Sequence, residues 1–308
     1  MDCLVTGGAG FIGSHLIEEL VANNHNVVCL DDFSTGKRRN LKDVEEHIKL
    51  IEGDIRNPVI VNKVINDVDY VFHLAAQISV NRSVREPAYD ASVNIEGIIN
   101  LLEAACISSV KRFIYVSTGG AIYGEPPHLP ASESTAEEPI SPYGLSKLVG
   151  EKYLQLFHRI HNLSYSIIRP ANIYGPRQDP LGEAGVISIY LGNLKNRLPL
   201  EIFGDGTNTR DYIYVKDIAD ICIKAINSSI VDIFNAGTGK QTNLLELIEI
   251  IEKVTKIPAN KKFSDPRPGD VKHISLESNK AKKILNWIPR TNLEAGIKKT
   301  WEWFNSRE

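Results

Sequence analysis

The stretch Val5-Thr-Gly-Gly-Ala-Gly-Phe-Ile-Gly13 decides the fold of this chain. Within it, Gly8, Gly10 and Gly13 have the spacing G-x-G-x-x-G, directly after an apolar run and at the start of a helical pattern. Glycines at this spacing permit a tight turn from strand to helix and a close approach of the backbone to phosphate oxygens. The helix N-terminus that follows favours negative charge. The stretch predicts a pyrophosphate site, although the glycines alone also fit a turn that binds nothing.

A carboxylate follows the second apolar run at a distance that suits the ribose of NAD. The run from Asn26 to Leu30 ends in Asp31 and Asp32, close to the offset of about 20 residues at which an acid binds the ribose hydroxyls. A carboxylate there repels the 2′-phosphate of NADP, so the pattern favours NAD. The basic residues 37–39 lie close behind and weaken that preference.

Composition excludes several classes of protein. The chain has 308 residues and a formal net charge of −3, with no basic tract longer than residues 37–39, so nucleic acid is not expected as a partner. Its 4 cysteines are far apart and form no C-x-x-C pair, which predicts buried thiols in a reducing compartment and no metal site. No apolar run approaches the roughly 20 residues of a membrane span. We expect a cytoplasmic protein without a signal peptide or a membrane segment.

Strand and helix patterns alternate through the first half of the chain. The predicted strands cover residues 27–30, 48–51, 70–74, 112–117 and 165–168, and the predicted helices cover 11–23, 57–67, 88–108 and 143–161. Alternation with nearly continuous apolar strands indicates a parallel sheet that is covered on both faces. The expected fold class is α/β, with a Rossmann-type doubly wound sheet whose ligands bind at the carboxyl ends of the strands.

The composition of the sequence changes after Pro170, where Gly and Pro become frequent and the strand patterns become short. We assign residues 1–171 to an NAD-binding domain and residues 172–308 mainly to a second, smaller α/β domain that binds the substrate. Residues 211–237 again show a strand-helix-strand pattern, and we expect them to pack back on the first sheet.

Tyr143 and Lys147 are the candidate catalytic pair. They stand at i and i+4 of a helical pattern, which places their Cβ atoms about 5–6 Å apart on one face. A cation beside a phenol favours the phenolate, so the pKa of Tyr143 should fall from about 10 towards neutrality and make it a base. Tyr212 and Lys216 have the same spacing, but within an alternating strand pattern that separates them by about 13 Å.

These segments together resemble the extended short-chain dehydrogenase/reductase family over nearly the whole chain. The general resemblance lies in Thr6-Gly-Gly-Ala-Gly-Phe-Ile-Gly13, His73-Leu-Ala-Ala76, Ser117-Thr118 and Tyr143-x-x-x-Lys147. A narrower resemblance, to the UDP-glucose 4-epimerase branch, lies in Gly53-Asp54-Ile55, Gly119-Gly-Ala-Ile-Tyr-Gly124, Ser141-Pro-Tyr-Gly144, Arg210-Asp-Tyr-Ile213 and Arg267-Pro-Gly-Asp270. It implies a redox cycle without net oxidation, in which the 4-hydroxyl of a UDP-hexose is oxidised and then reduced on the opposite face.

The resemblance also implies the residues of both binding sites. For NAD they are Gly7, Gly10, Phe11, Ile12, Gly13, Asp31, Asp32, Phe33, Ser34, Gly36, Asp54, Ile55, Leu74, Ala75, Ala76, Asn94, Ser117, Tyr143, Lys147 and Pro170. For the UDP-sugar they are Thr118, Gly119, Tyr143, Asn172, Gly185, Val186, Arg210, Arg267, Asp270 and Ile274. Within these sets, Asp31 is expected on the adenosine ribose, Asp54 and Ile55 on the adenine, and Lys147 on the nicotinamide ribose. His73 is expected to pack rather than react.

Two positions depart from the family pattern or decide specificity. Many members have Ser or Thr where this chain has Gly119, so the hydroxyl that assists Tyr143 is assigned first to Thr118 and second to Ser117. The resemblance implies that Ile274 stands at the position where, in this family, residue size selects the sugar. Its intermediate size favours UDP-glucose and UDP-galactose as the main pair and leaves N-acetylhexosamines as further substrates.

Three other functions fit the sequence less well. A 4,6-dehydratase needs an Asp-Glu pair where Gly119 and Gly120 stand. A UDP-glucuronate 4-epimerase needs a cation for the sugar carboxylate, and residues 182–189 contain Glu183 and no cation. A catalytically silent NAD-binding protein would be expected to lack Tyr143 or Lys147.

The helical patterns 88–108 and 143–161 contain more apolar residues than one buried face requires. Examples are Leu145, Leu148, Leu156 and Phe157. The family pairs these helices into a four-helix bundle, so we expect a homodimer. Burial of the same residues within one chain is the alternative.

Overall fold

The computed structural model describes residues 1–108, 110–180, 185–266 and 271–306. The strands are β1 (Asp2–Thr6), β2 (Asn26–Asp31), β3 (Ile48–Glu52), β4 (Tyr70–His73), β5 (Arg112–Val116), β6 (Tyr165–Pro170), β7 (Asn172–Tyr174), β8 (Leu200–Phe203), β9 (Thr209–Arg210), β10 (Tyr212–Tyr214), β11 (Asp232–Ala236), β12 (Thr242–Asn243) and β13 (Lys261–Ser264). The α-helices are α1 (Phe11–Ala22), α2 (Pro58–Ile65), α3 (Val80–Arg85), α4 (Pro87–Ala91), α5 (Gly97–Ile107), α6 (Gly119–Ile122), α7 (Pro142–His161), α8 (Val186–Lys195), α9 (Val215–Ile226), α10 (Leu244–Thr255), α11 (Asn279–Leu285) and α12 (Leu293–Asn305). Short 3-10 helices cover Arg38–Leu41 and Glu45–His47.

A parallel sheet forms the centre of the molecule. In the part of the chain that the structure describes, seven strands pair in the order β11-β6-β5-β4-β1-β2-β3. The order reverses between β1 and β4, whose paired ends are Thr6 and His73. In an open parallel sheet this is the switch point outside which a ligand binds. The sheet confirms the predicted α/β Rossmann-type fold class.

Both faces of the sheet are buried. One cluster of buried side chains lies between the sheet and helices α1 and α9, with Leu16 and Ile221 among its members. The other includes Leu101 of α5 and Leu154 of α7. This two-sided burial explains why the strands read as continuous apolar runs rather than alternating ones.

Residues 211–237 bring a late part of the chain back to the first sheet. β11 pairs in parallel with β6, from Asp232 opposite Ser166 to Ala236 opposite Pro170, and α9 packs on α1. The expectation of an alternating strand through Lys216 is wrong, because β10 ends at Tyr214 and α9 begins at Val215. An N-terminal position on a helix lets Lys216 form an ion pair with Glu19 of α1.

The predicted helix 88–108 is interrupted. Its first turn is α4, its last part is α5, and between them Ser92–Glu96 form a π-helical turn. Such turns are frequent at functional sites. This one contains Asn94, whose buried side chain belongs to the candidate site.

The remaining elements form a smaller unit with its own core. It contains the short strand pairs β7–β10, β8–β13 and β9–β12, together with α8, α10 and α12. Buried side chains such as Tyr190, Leu247 and Ile297 fill the space between them. A capping box between Asn243 and Glu246 fixes the start of α10. Among the described residues, no helix has both the length and the apolar character needed to cross a membrane.

Candidate active site

The glycine turn is as tight as its sequence predicts. Gly7 has φ +70°, and a Cβ there would lie 2.7 Å from the main-chain nitrogen of Ala75. A Cβ on Gly13 would overlap the carbonyl oxygen of Gly7. Gly10 caps α1 without any side-chain hydrogen bond to the first turn. The first N–H groups of α1 therefore have no side-chain acceptor and suit an anionic ligand.

Asp31 fastens the loop after β2 to the glycine turn. One carboxylate oxygen accepts from the N–H of Ala9 and the other from the N–H of Phe33, both at 2.9 Å. Burial raises the pKa of this carboxyl group, and the two backbone hydrogen bonds oppose that effect. Gly36 closes over the carboxylate so tightly that a Cβ there would overlap it. The geometry suits an acceptor held rigidly at the edge of a groove.

A groove of about 710 Å³ begins at this turn. It is lined by most of the predicted cofactor residues: Gly7, Gly10, Phe11, Ile12, Gly13, Asp31, Asp32, Phe33, Ser34, Gly36, Asp54, Ile55, Leu74, Ala75 and Ala76. Its lining does not include Asn94, Ser117, Tyr143, Lys147 or Pro170. The tight turn, the open helix N-terminus and the fixed carboxylate fit a dinucleotide such as NAD.

The far end of the groove contains Asp54 and Ile55. Asp54 accepts a forked hydrogen bond from Arg56, with Nε at 2.9 Å and Nη2 at 2.5 Å from Oδ2. This bond lowers the pKa of Asp54. The Ile55 side chain is buried against Gly97 of α5.

Tyr143, Lys147 and Thr118 meet at the carboxyl end of β5. Tyr143 is in the first turn of α7, and its phenol forms a hydrogen bond with the Thr118 side chain. One turn further on, the Lys147 ammonium donates to the carbonyl oxygen of Val116 at 2.8 Å. Ser141 fixes the start of this helix by accepting from the N–H of Gly144. The structure thus brings together the predicted base, its cation and its assisting hydroxyl.

The pKa values of the pair differ from the prediction. Burial raises the pKa of Tyr143 to about 12, and the group that lowers it is Thr118. Burial also lowers the pKa of Lys147 to about 7, against the opposing charges of Glu151 and Asp90. The expectation that Lys147 brings the pKa of Tyr143 towards neutrality is not met, because burial dominates that pKa and the group that lowers it is Thr118 and not Lys147.

Ser117 and Thr118 have different environments. The Ser117 hydroxyl is buried and has no hydrogen-bond partner in the part of the chain that the structure describes, whereas the Thr118 hydroxyl reaches Tyr143. Successive residues at a strand end point in opposite directions, which explains the difference.

His73 and Tyr115 form the floor beneath Lys147. The two rings stack with centroids 5.4 Å apart, and Lys147 Nζ lies 4.3 Å from the Tyr115 centroid. His73 Nδ1 is hydrogen-bonded to the Thr6 hydroxyl at 2.8 Å. Burial holds the pKa of His73 well below its ordinary value, so the ring is neutral and acts as packing beneath the site.

Asn94 links the groove to the catalytic helix. Its side chain accepts from the N–H of Gln77 at 2.9 Å and donates to the carbonyl oxygen of the same residue at 2.9 Å. It also contacts Ser146, directly before Lys147, at 3.1 Å. Asn94 therefore positions both walls of the site.

The predicted substrate residues Asn172, Gly185, Val186 and Arg210 lie in the second half of the chain. Asn172 approaches Gly120, whose Cβ would lie 3.6 Å from the side-chain oxygen. Gly185 caps α8, which begins at Val186, without a side-chain hydrogen bond. Arg210 in β9 donates to the carbonyl oxygens of Thr209 and Lys272.

The other four predicted substrate positions are Gly119, Arg267, Asp270 and Ile274. Ile274 is only 2% exposed and belongs to the main core cluster, so packing fixes its size and position. Gly119 is buried against Leu276. Arg267 and Asp270 lie outside the described residues.

Several residues of the groove were not predicted from the sequence. They are Leu30, Thr35, Lys37, Asn40, Gly53, Gln77, Ile78, Ser79, Arg82, Arg85, Tyr89, Val93, Arg177, Gln178 and Asp179. Arg177 to Asp179 follow the Gly175-Pro176 turn, which is the one signal in the sequence that marks them. Their distance along the chain from the glycine turn hid the contact.

The chain matches known proteins over nearly its whole length. Residues 3–237 match the model of the NAD dependent epimerase/dehydratase family. A UDP-glucose 4-epimerase of Mycolicibacterium smegmatis is 42% identical over 311 residues, which cover 100% of this chain and 99% of that protein.

Solved structures give the same result. The UDP-glucose 4-epimerase of Thermotoga maritima, solved with UDP-glucose, has a TM-score of 0.96 at 43% identity and covers 99% of both chains. A UDP-N-acetylglucosamine 4-epimerase of Methanobrevibacter ruminantium has a TM-score of 0.96 at 36% identity, covering 100% of this chain and 99% of that one. The UDP-glucose 4-epimerase of Thermus thermophilus, solved with NAD, has a TM-score of 0.93 at 36% identity and covers 100% of both chains. The chain belongs to the NAD dependent epimerase/dehydratase family.

Proposed function

We propose that this protein is an NAD-dependent UDP-hexose 4-epimerase that interconverts UDP-glucose and UDP-galactose, with UDP-N-acetylhexosamines as further substrates. The observation that carries the proposal is the contact of the Tyr143 phenol with Thr118, one helical turn from Lys147, at the end of β5. Two UDP-glucose 4-epimerases that match this chain over nearly the full length of both proteins support the same activity.

Tyr143 moves the proton in both halves of the proposed cycle. Its phenolate takes the proton of the sugar 4-hydroxyl and returns it after the keto sugar has turned about its phosphate linkage. Thr118 orients the phenol and stabilises its anion, and Lys147 adds a positive charge on the same helix face. NAD supplies the hydride acceptor and donor, and its cationic ring favours the phenolate that burial alone disfavours.

The substrate side offers groups suited to a nucleoside diphosphate. Arg210 supplies a guanidinium, which binds phosphate oxygens in a forked geometry. Gly185 and Val186 offer main-chain N–H groups at the start of α8, where the N-cap makes no side-chain hydrogen bond. Asn172 lies beside Gly120. We assign Arg267 and Asp270 to the same site from the family pattern.

Gly119 disfavours the 4,6-dehydratase alternative. That reaction adds an elimination step that requires an acid and a base after the active-site threonine. A Cβ at Gly119 would overlap Leu276, so a carboxylate side chain does not fit there without repacking. Tyr143 and Lys147 together disfavour a silent NAD-binding protein.

We also propose a homodimer formed through α7 and the helical segment 87–107. Leu145, Leu156 and Ile160 are 53%, 40% and 62% exposed and lie along one stripe of α7, since their spacing is close to whole helical turns. Ile107 at the end of α5 is exposed as well. Such a stripe on two neighbouring helices suits the core of a four-helix bundle.

The activity is tested by incubating the purified protein separately with UDP-galactose, UDP-N-acetylgalactosamine and UDP-galacturonate and resolving the products by NMR. We expect UDP-glucose from the first, slower conversion of the second and none of the third. If no sugar is interconverted while the Tyr143→Phe variant binds NAD as tightly as the unmodified protein, the epimerase proposal is wrong. Conversion of the uronate alone would favour the UDP-glucuronate 4-epimerase.

A further inference from the structure

Residues 176–179, the crossing segment, join the second half of the chain to the cofactor groove. At one end the carbonyl oxygen of Pro176 accepts from His15 Nε2 at 2.9 Å. Next to it, the Arg177 guanidinium forms an ion pair with Glu18. Both contacts are made with α1, so this end of the segment is held against the helix that the glycine turn begins.

The other end of the crossing segment is held beyond the glycine turn. Asp179 forms an ion pair with Lys37, and the main-chain N–H of Lys37 donates to the carbonyl oxygen of Ala9 at 3.0 Å. Ala9 lies within the glycine turn itself. The crossing segment therefore spans from α1 to the loop after β2, on either side of the turn.

The position of the crossing segment along α1 follows from helical geometry. Phe11, His15 and Glu18 stand at i, i+4 and i+7, which is one face of a helix, and the rings of Phe11 and His15 are in contact at 6.2 Å between centroids. Phe11 is the first residue of α1 and lines the groove. The crossing segment thus passes along the face that leads to the helix N-terminus.

Arg177 has a donor without an acceptor. Its side chain is 11% exposed, its φ is +74°, and its Nη1 is buried with no hydrogen-bond partner among the described residues. A buried guanidinium N–H left unpaired costs free energy, and such groups in native proteins are usually satisfied by a ligand or water. Arg177 lines the groove, so the missing acceptor belongs there.

The chemistry of the missing acceptor is that of a diphosphate. The donor belongs to a guanidinium, whose fork matches phosphate oxygens. The neighbouring helix N-terminus has N–H groups without a side-chain cap and favours the same charge. Glu18 neutralises part of the Arg177 charge but engages Nη2 and leaves Nη1 for the ligand.

We propose that Arg177 binds the diphosphate of NAD, and that the Lys37–Asp179 ion pair closes the crossing segment over the bound cofactor and slows its release. The inference rests on the proposed function only in taking NAD as the dinucleotide. It suits an epimerase, because each cycle regenerates the oxidised cofactor and nothing is gained by releasing it.

The Arg177 assignment is tested by calorimetry on protein stripped of cofactor. The probes are NAD, ADP-ribose, which keeps the diphosphate, and adenosine, which lacks it. Arg177→Met should weaken NAD and ADP-ribose by about 10- to 100-fold, the value of a hydrogen bond to a charged group, and leave adenosine unchanged. Arg177→Lys should recover part of the loss. An unchanged dissociation constant of ADP-ribose in Arg177→Met would overturn the assignment.

The closure is tested through Asp179→Asn, which breaks the ion pair with Lys37 and also removes a negative charge near the diphosphate. Electrostatics alone predicts slower release of NAD from this variant, whereas closure predicts release at least about tenfold faster, as expected for loss of a constraint worth about 1.4 kcal/mol. The readout is the chase of radiolabelled NAD by excess unlabelled NAD. Glu52→Gln is the matched control, because it breaks the exposed ion pair with Arg38, which is formed outside the crossing segment. Unchanged or slower release from Asp179→Asn would refute the closure.

These measurements need no sugar substrate, so they separate the two proposals. If no UDP-sugar is converted, the proposed function fails and the affinity differences still decide this inference. If the protein epimerises UDP-galactose while Arg177→Met binds NAD normally, this inference fails alone. Thermal unfolding of each variant identifies any variant that does not fold. If Arg177→Met does not fold, Arg177→Lys still tests the diphosphate contact and Asp179→Asn still tests the closure.

Discussion

The Lys147 ammonium donates to the main-chain carbonyl oxygen of Val116 at 2.8 Å, at the point where β5 ends. Thr118 follows two residues later and contacts the Tyr143 phenol. One lysine of α7 therefore fixes the strand end that delivers the assisting hydroxyl to the tyrosine on the same helix. This bond joins the helix to the sheet beside Tyr143, together with the hydrogen bond that the Tyr115 hydroxyl donates to the carbonyl oxygen of Lys147.

Lys147→Met should remove a rise of stability with pH. Burial lowers the pKa of Lys147 to about 7 from an ordinary value of 10.5. Between these values the unfolded chain binds a proton that the folded chain does not, so the free energy of unfolding rises with pH, by at most about 1.4 kcal/mol per unit from this residue. Urea unfolding between pH 7 and 9 measures the slope. Lys63→Met, at an exposed position on α2, is the control, and equal slopes in Lys147→Met and the unmodified protein would contradict the argument.

Tyr143→Phe should abolish most of the activity and leave cofactor binding intact. Loss of a positioned acid-base group lowers kcat by about 10²- to 10⁴-fold, while the groove lining does not include Tyr143. Initial rates with UDP-galactose and calorimetry with NAD check the two parts. Tyr165→Phe removes a buried phenol at the opposite end of β6 and should retain normal rates. A Tyr143→Phe enzyme with a normal kcat would mean that another base acts.

Thr118→Val and Ser117→Ala should differ in their effects. Thr118→Val removes the hydroxyl that lowers the pKa of Tyr143, and kcat should fall by about 10- to 100-fold, as expected for a hydrogen bond to an anion. Ser117→Ala removes a buried hydroxyl that has no partner in the described chain, so stability should be unchanged or slightly higher. Steady-state kinetics and thermal unfolding check both. A larger loss of kcat in Ser117→Ala would transfer the assisting role to Ser117.

Gly13→Ala and Gly10→Ala separate folding from cofactor binding. A Cβ at Gly13 would overlap the Gly7 carbonyl, so Gly13→Ala should lose about 1–3 kcal/mol of stability through overpacking. A Cβ at Gly10 would lie 3.1 Å from the same oxygen, which is tolerable, but it would project at the groove where the phosphates approach. Gly10→Ala should therefore fold normally and bind NAD at least about tenfold more weakly. A tenfold change in the dissociation constant corresponds to a loss of only about 1.4 kcal/mol of binding free energy. Equal stability of the two variants would argue against the tight packing at Gly13.

The proposed dimer predicts a particle of twice the mass of one chain, which is 34.2 kDa. The double variant Leu156→Glu with Ile160→Glu places two charges on the exposed stripe of α7 and should yield monomers. Sedimentation at low concentration measures both. A monomeric unmodified protein would refute the dimer. Burial within one chain would not explain Leu156 and Ile160 either, since both side chains are exposed.

Local patterns were sufficient for much of this architecture. The alternation of strands and helices follows from residues close together in sequence, and Asn57-Pro58 marks the start of α2 as a cap followed by proline. Tyr143 and Lys147 could be paired from their spacing alone, because four residues on a helix fix their relation before any tertiary contact forms.

Tertiary effects account for what the sequence did not reveal. The pKa of Tyr143 depends on burial by the sheet and on Thr118, which helical spacing does not report. The π-helical turn at Ser92–Glu96 places Asn94 between Gln77 and Ser146, contacts that a regular helix pattern conceals. Arg177 reaches Glu18 from the far half of the chain, so no periodicity near the glycine turn points to it.

β11 is the edge strand that completes the central sheet, and it is translated long after β6. Because ribosomes add about 5–20 residues per second, a nascent chain that has reached the end of β6 must wait for α9 and β11 before the sheet is finished. During that interval the backbone of β6 is an open strand edge, of the kind that pairs with other chains. The order of synthesis thus leaves the half that contains the central sheet open to aggregation until α9 and β11 emerge, although most of that half is made first.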